Sequence, residues 1–189
     1  MSANLQEIRH YYTLEEYLDF IKTNDGRYEY RDGEIVLMGG GSKNHSTIMI
    51  NLNESLARQL KGCRVIPADV PIKTSHHPFR YADLSVACNP QLEERQGIGV
   101  LLNPALIIEI LSPSSLLTDN KQKLEEYTAL ESLQDYLIIA QSIPYVVRYS
   151  RLGEGWVRSY FGHPEAVVDL PAIGVRLPFP EIYAGVEFI

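Results

Sequence analysis

Two carboxylates and a lysine stand in an order that can hold a hard divalent cation and work on a phosphate ester: Asp83, Glu109 and Lys123. Glu109 interrupts Leu106-Ile107-Ile108-Glu109-Ile110-Leu111, a run apolar on both faces that reads as a central strand covered on both sides. An ionised carboxylate there is costly unless something compensates it. A second acid, Asp83 in Tyr81-Ala82-Asp83-Leu84-Ser85-Val86, adds repulsion if its strand lies nearby. A divalent cation between the two relieves both penalties, and Mg²⁺, with Mn²⁺ as the alternative ion, takes carboxylates together with water and phosphate oxygens. Such an ion polarises a phosphodiester and lowers the pKa of the attacking water. A lysine beside it orients that water or stabilises developing charge.

Each residue also has a plainer reading. Asp83 can be a hydrogen-bonded aspartate at a strand end, and Glu109 one half of a buried salt bridge. Lys123 lies four residues from both Asp119 and Tyr127, so the three share a helical stripe, and Asp119–Lys123 can be an exposed ion pair. Glu29, opposite in facing to Tyr28 and Tyr30, is either a third carboxylate of the site or a solvated strand residue. His45 opens a helix, where polar residues are common. His76-His77 reads as a loop pair, because no cysteine or acid at ligand spacing supports a zinc site.

The elements that must position these groups are legible in the pattern. Thr13 and Glu16 make a capping box, followed by the apolar face of Leu14, Tyr17, Leu18 and Ile21. Asp32-Gly33 between Tyr28–Arg31 and Glu34–Met38 predicts a hairpin with a type I′ turn. Ile48, Leu52, Leu56 and Leu60 form the core stripe of a second helix. Short strands are expected near 63–67 and 69–74, then the Asp83 strand, then a polar loop from Asn89 to Asn103 with at most one helical turn. Pro113 breaks the chain after the Glu109 strand. A helix follows over Thr118–Leu133, then a strand over Tyr136–Ile139 and a hairpin around Gly153-Glu154-Gly155. This order indicates one α/β domain over residues 1–189 with a mixed sheet.

Composition narrows the class. A length of 189 residues, 45% hydrophobic and 22% charged, suits a single globular domain. No apolar stretch approaches the roughly 18 residues of a membrane span, and the first residues carry no signal-peptide pattern. Cys63 and Cys88 have no ligand spacing and read as reduced, buried thiols of a cytoplasmic protein. Net charge −7 argues against a surface coated in nucleic-acid-binding charge. Between Arg58 and Arg80, however, five basic residues stand against Asp69 alone, a segment that can face phosphates or be a chance cluster.

The chain resembles the Uma-type putative restriction endonucleases, within the PD-(D/E)XK nuclease superfamily. The specific stretch is Glu109-Ile110-Leu111-Ser112-Pro113-Ser114, then Asp119, Lys123 and Tyr127, then Leu133-Gln134-Asp135-Tyr136. The Tyr28–Glu34 hairpin and His45 are also like the family's. The resemblance implies a restriction-endonuclease-like core, a mixed β-sheet flanked by helices, with Mg²⁺ held by Asp83 and Glu109. The superfamily's lysine two residues after the second acid is replaced by Leu111, and Lys123 looks like its migrated substitute. Ala82 stands where a proline usually precedes the first acid, and Ala140 where members often carry an acid.

The expectation is a metal-dependent endodeoxyribonuclease acting on DNA. Asp83 and Glu109 hold metal, Lys123 positions or polarises water, and Glu29 supports metal or water. A homodimer is expected, with the C-terminal strands and tyrosine-rich surface as candidate contacts. The alternative is a nuclease-like fold used as a catalytically silent binding or assembly module, favoured by the negative charge and the absent standard lysine.

Overall fold

Leu106–Leu111 and Asp135–Ala140 lie side by side as parallel strands inside a six-stranded sheet, and every residue of both is buried. Burial on both faces is why neither run alternates with polar residues. The computed structural model describes residues 10–26, 28–31, 33–37, 39–75, 79–111 and 120–188. It divides into two compact units, 1–39 and 40–189.

The N-terminal unit contains helix α1 (Leu14–Thr23) and the hairpin of β1 (Tyr28–Arg31) and β2 (Glu34–Leu37). The capping box forms as expected, with Glu16 N–H donating to Thr13 Oγ1 and Thr13 N–H to Glu16 Oε2. Arg31 pairs with Glu34 across a two-residue turn in which Gly33 has φ +88°; Asp32 lies outside the described residues. Tyr17, fully buried, donates its hydroxyl to the Tyr28 carbonyl and ties helix to hairpin.

The larger unit begins with α2 (Lys43–Gln59), whose Ile48, Leu52 and Leu56 are fully buried on the predicted stripe. Strands β3 (Cys63–Pro67) and β4 (Leu84–Cys88) follow, then β5 (Leu92–Arg95), β6 (Ile98–Leu101) and β7 (Leu106–Leu111). Helix α3 (Asn120–Thr128) leads to β8 (Asp135–Ala140), β9 (Val146–Leu152) and β10 (Gly155–Phe161). The chain closes with β11 (Val167–Leu170), β12 (Val175–Pro178) and the short α4 (Phe179–Ile182). The main sheet runs β10-β9-β8-β7-β4-β3, antiparallel except for the β7–β8 pair. Alternate residues of β7 and β8 therefore feed two cores. Leu106, Ile108, Leu137 and Ile139 pack with α2, whereas Ile107, Tyr136 and Ile138 pack with Tyr127 of α3.

Several expectations need correction. Residues 69–74 form no strand, only isolated bridges from Ile72 to Arg80 and Leu101, since Pro71 supplies no N–H for a ladder. The expected loop from Asn89 to Asn103 is the β5–β6 hairpin, turned by Gln96 and Gly97 at φ +50° and +87°. Its first strand, Leu92-Glu93-Glu94-Arg95, is mostly charged and hid it, because the period-2 signal needs an apolar face. The third helix ends at Thr128, not Leu133; its expected start at Thr118 and the Pro113 break lie outside the described residues. Cys63 and Cys88 are not reduced thiols but a disulfide. They are directly paired across β3 and β4, with Cα atoms 3.9 Å apart, a register invisible in their spacing of 25 residues.

Candidate functional site

The antiparallel ladder between β4 and β7 ends where Leu84 faces Ile108. One step further the register sets Asp83 against Glu109, and there the strands part. Asp83 takes over with its side chain: Oδ2 accepts the Ile110 N–H at 2.7 Å. The result is two carboxylates side by side at a strand fork, a geometry that backbone pairing alone would have closed.

Glu109 is 4% exposed. Its Oε1 accepts from Lys123 Nζ at 2.8 Å and from the Tyr127 hydroxyl at 3.1 Å. Lys123 also donates to the Tyr81 carbonyl, two residues before Asp83. Lys123 and Tyr127 are one helical turn apart on α3, the crossover between β7 and β8, so the fold itself brings that stripe over Glu109. Burial, with a contribution from the charge of Asp83, nevertheless raises the Glu109 pKa above the ordinary carboxylate range, while Lys123 and Tyr127 pull it down.

Other groups close around the pair. His45 Nε2 lies 3.1 Å from Asp83 Oδ1. The imidazole is placed by the start of α2, where Ser42 caps the helix by accepting the His45 N–H, and by Gly41, at which a Cβ would fall 2.8 Å from His45 Nδ1. Beneath α3, Arg80 and Glu126 form a fully buried bidentate pair, at 2.6 and 2.7 Å, to which Thr74 also donates. That pair fastens α3 to the segment leading into Asp83. The phenol of Tyr136 on β8 lies on the same sheet face as Glu109 and is fully buried.

Among the residues singled out in the sequence, Lys123 meets Glu109 directly, and Asp83 sits beside it. Asp119, His76 and His77 lie outside the described residues. Glu29 belongs to the N-terminal unit, where it is buried and accepts from Arg31 Nε at 2.6 Å rather than facing solvent. The basic segment does not form one phosphate-facing surface. Arg80 is buried on Glu126, Arg58 pairs with Glu181 and Lys73 with Glu93, while Lys61 and Arg64 are exposed. His45 carries a signal that could have placed it: it precedes Ile48 by three residues and so falls beside the core stripe. The Arg80–Glu126 partnership spans 46 residues and leaves no local trace.

Among the described residues no three or more His, Cys, Asp or Glu side chains cluster as a complete metal cage. The site is instead a two-carboxylate site with an attached lysine, in a mixed α/β fold of nuclease type. The chain belongs to the Uma2 family, described as putative restriction endonucleases, whose model matches residues 14–179. It is 32% identical over 178 residues to the uncharacterized protein slr1290 of Synechocystis sp. (strain ATCC 27184 / PCC 6803 / Kazusa), covering 92% of each chain. It is 30% identical over 146 residues to the uncharacterized protein sll1609 of the same strain, covering 75% of this chain and 82% of that one. Its fold is similar to the crystal structure of a putative nuclease from Anabaena variabilis ATCC 29413, with a TM-score of 0.67 and 18% identity over 93% of this chain and 99% of the other.

Proposed function

We propose that the protein is a divalent-metal-dependent endodeoxyribonuclease that hydrolyses DNA phosphodiester bonds. The observation that carries this reading is Glu109: a carboxylate in the middle of a fully buried strand, paired with Lys123 and set against a second carboxylate, Asp83. A purely structural strand would be better served by an apolar residue at that position.

Asp83 and Glu109 would hold one or two Mg²⁺ or Mn²⁺ ions. The donor set fits: both offer hard oxygens, and Glu109 Oε2 accepts no hydrogen bond from the described residues. When bound, the ion would polarise the phosphodiester and lower the pKa of the attacking water. The chain's own groups do the rest. Lys123 presents an ammonium to the water or to charge developing on the phosphate. Tyr127 fixes the orientation of Glu109, and His45 that of Asp83. Glu29, engaged with Arg31 in its own unit, is not needed for this reading; Glu29→Gln, assayed alongside, measures any support it gives.

A second reading, a catalytically silent binding or assembly module, is favoured by the acidic partners of Arg58, Lys73 and Arg80, which take most of the basic segment away from phosphates. Single-turnover cleavage of linear, nicked and supercoiled DNA by wild type and Asp83→Asn decides between the two. Cleavage that requires Mg²⁺ or Mn²⁺ and is lost in Asp83→Asn supports the enzyme. DNA binding or self-association without cleavage under any of these conditions supports the module.

A homodimer is retained in this reading, with the exposed Leu152, Val157 and Tyr160 of the β9–β10 hairpin as its candidate surface, and sedimentation velocity tests it. No described helix is long and apolar enough to cross a membrane. A cytoplasmic location and the Cys63–Cys88 disulfide pull in opposite directions, because reducing compartments keep thiols free. Thiol trapping at cell lysis reports which holds.

A further inference from the structure

Tyr136 is fully buried, yet its hydroxyl has no hydrogen-bond partner among the described residues. A buried phenol O–H without a partner costs free energy that a phenylalanine of the same shape would avoid. Packing gives no reason for the oxygen. The ring lies edge-on to Tyr127, centroids 5.4 Å apart, and stacks on Tyr149 at 6.0 Å, contacts that a phenyl ring would make equally well.

The place of the residue in the sheet suggests a use for the hydroxyl. Strands β7 and β8 pair Ile107 with Tyr136 and Glu109 with Ile138, so Tyr136 is the diagonal neighbour of Glu109 on the α3 side of the sheet. Tyr127, in ring contact with Tyr136, donates to Glu109 Oε1, while Glu109 Oε2 takes no donor from the described residues. Burial first, then the charges of Glu109, Tyr149 and Asp83, hold the phenol protonated well above its ordinary pKa. It is a donor without an acceptor among the described residues, on the sheet face that carries Glu109 and within the electrostatic reach of both carboxylates.

We propose that the Tyr136 hydroxyl is a hydrogen-bond donor held for an oxygen of the ligand bound at Asp83 and Glu109, either a water molecule or a non-bridging oxygen of a phosphodiester. This makes Tyr136 a further ligand-contacting residue of the site, distinct from the lysine and the two acids. The inference rests on the metal-dependent phosphodiesterase reading given above.

Tyr136→Phe removes the oxygen and little else, and three measurements test the assignment. In EDTA the variant is expected to unfold at the same or a higher denaturant concentration than wild type, because no hydrogen bond to a described residue is lost. A lower midpoint means the hydroxyl is bonded within the fold, and overturns the proposal. Binding is then compared with Mn²⁺ alone and with a short DNA duplex in Ca²⁺. An affinity about 3–10-fold weaker in the variant, the worth of one hydrogen bond, is expected in at least one arm. Loss with Mn²⁺ alone identifies water as the partner, and loss only with the duplex identifies a phosphate oxygen. Equal affinities in both arms overturn the proposal while leaving the nuclease reading intact. Should wild type bind neither Mn²⁺ nor DNA, the nuclease reading fails, and this inference with it.

Discussion

Lys123 Nζ lies 2.8 Å from Glu109 Oε1, with the side chains 13% and 6% exposed. This is a buried partnership; Asp119, the helical partner that spacing allows, lies outside the described residues. Removing the ammonium should therefore affect both folding and chemistry. Lys123→Ala is expected to slow single-turnover DNA cleavage about 100-fold, the usual effect of losing one charge-stabilising donor. It should also cost about 3 kcal/mol at most in the metal-free protein at neutral pH, less in acid, where Glu109 protonates. Wild-type cleavage rates in Lys123→Ala would remove the lysine from the mechanism.

The raised pKa of Glu109 has a definite sign in stability. Burial makes the folded protein hold the Glu109 proton more tightly than the unfolded chain does. That stabilisation is complete below the unfolded pKa of about 4.3 and disappears as pH rises through the folded value. Glu109→Gln keeps an acceptor for Lys123 and Tyr127 but cannot titrate. In EDTA the stability of this variant relative to wild type should rise as pH is taken from about 4 to 7. Urea titrations across that range measure it, and a difference independent of pH would contradict the assigned shift.

The Arg80–Glu126 pair is buried on both sides, at 2% and 3% side-chain exposure. Glu126→Ala takes the bidentate carboxylate away from a buried guanidinium and is expected to cost about 3–5 kcal/mol. Because this pair anchors α3, Lys123 should lose its alignment with Glu109 as well. Replacing both partners by apolar residues, Arg80→Met with Glu126→Leu, should recover much of the stability. Denaturant midpoints of the single and double variants provide the check.

Reduction of Cys63–Cys88, which closes a segment of 25 residues, should lower stability by about 3 kcal/mol through the entropy of the unfolded chain. The same loss is expected in Cys63→Ser with Cys88→Ser. Denaturation with and without a dithiol, together with thiol counting by mass spectrometry, tests it; a reductant-insensitive midpoint would show that the bond contributes nothing.

Of the basic segment, only Lys61 and Arg64 are exposed and outside the ion pairs that hold Arg58, Lys73 and Arg80. If they contact phosphates, Lys61→Glu with Arg64→Glu should flatten the dependence of log affinity on log salt by about 1.8. The same substitutions should leave the melting temperature unchanged. An unaltered salt slope would move the DNA-binding surface elsewhere.

The sequence by itself determined the parts written in local periodicity. The capping box at Thr13, the Tyr28–Leu37 hairpin, the Ile48-Leu52-Leu56 stripe and the doubly buried Leu106–Leu111 strand all follow from spacing and side-chain type. The misfit of Glu109 within that strand marked the site for the same reason, since a carboxylate among aliphatic residues is an energetic anomaly that needs no partner to be noticed. The i, i+4 stripe of Lys123 and Tyr127 was legible too, but not its target. Only tertiary structure brought that stripe over Glu109, set Asp83 against Glu109 where β4 and β7 part, laid His45 on Asp83 and joined Arg80 to Glu126 and Cys63 to Cys88. These contacts join residues from 14 to 46 positions apart, and their register is set by which strands pair and which helix crosses between them. A linear sequence carries the chemistry of each group; the distance between groups is a property of the sheet.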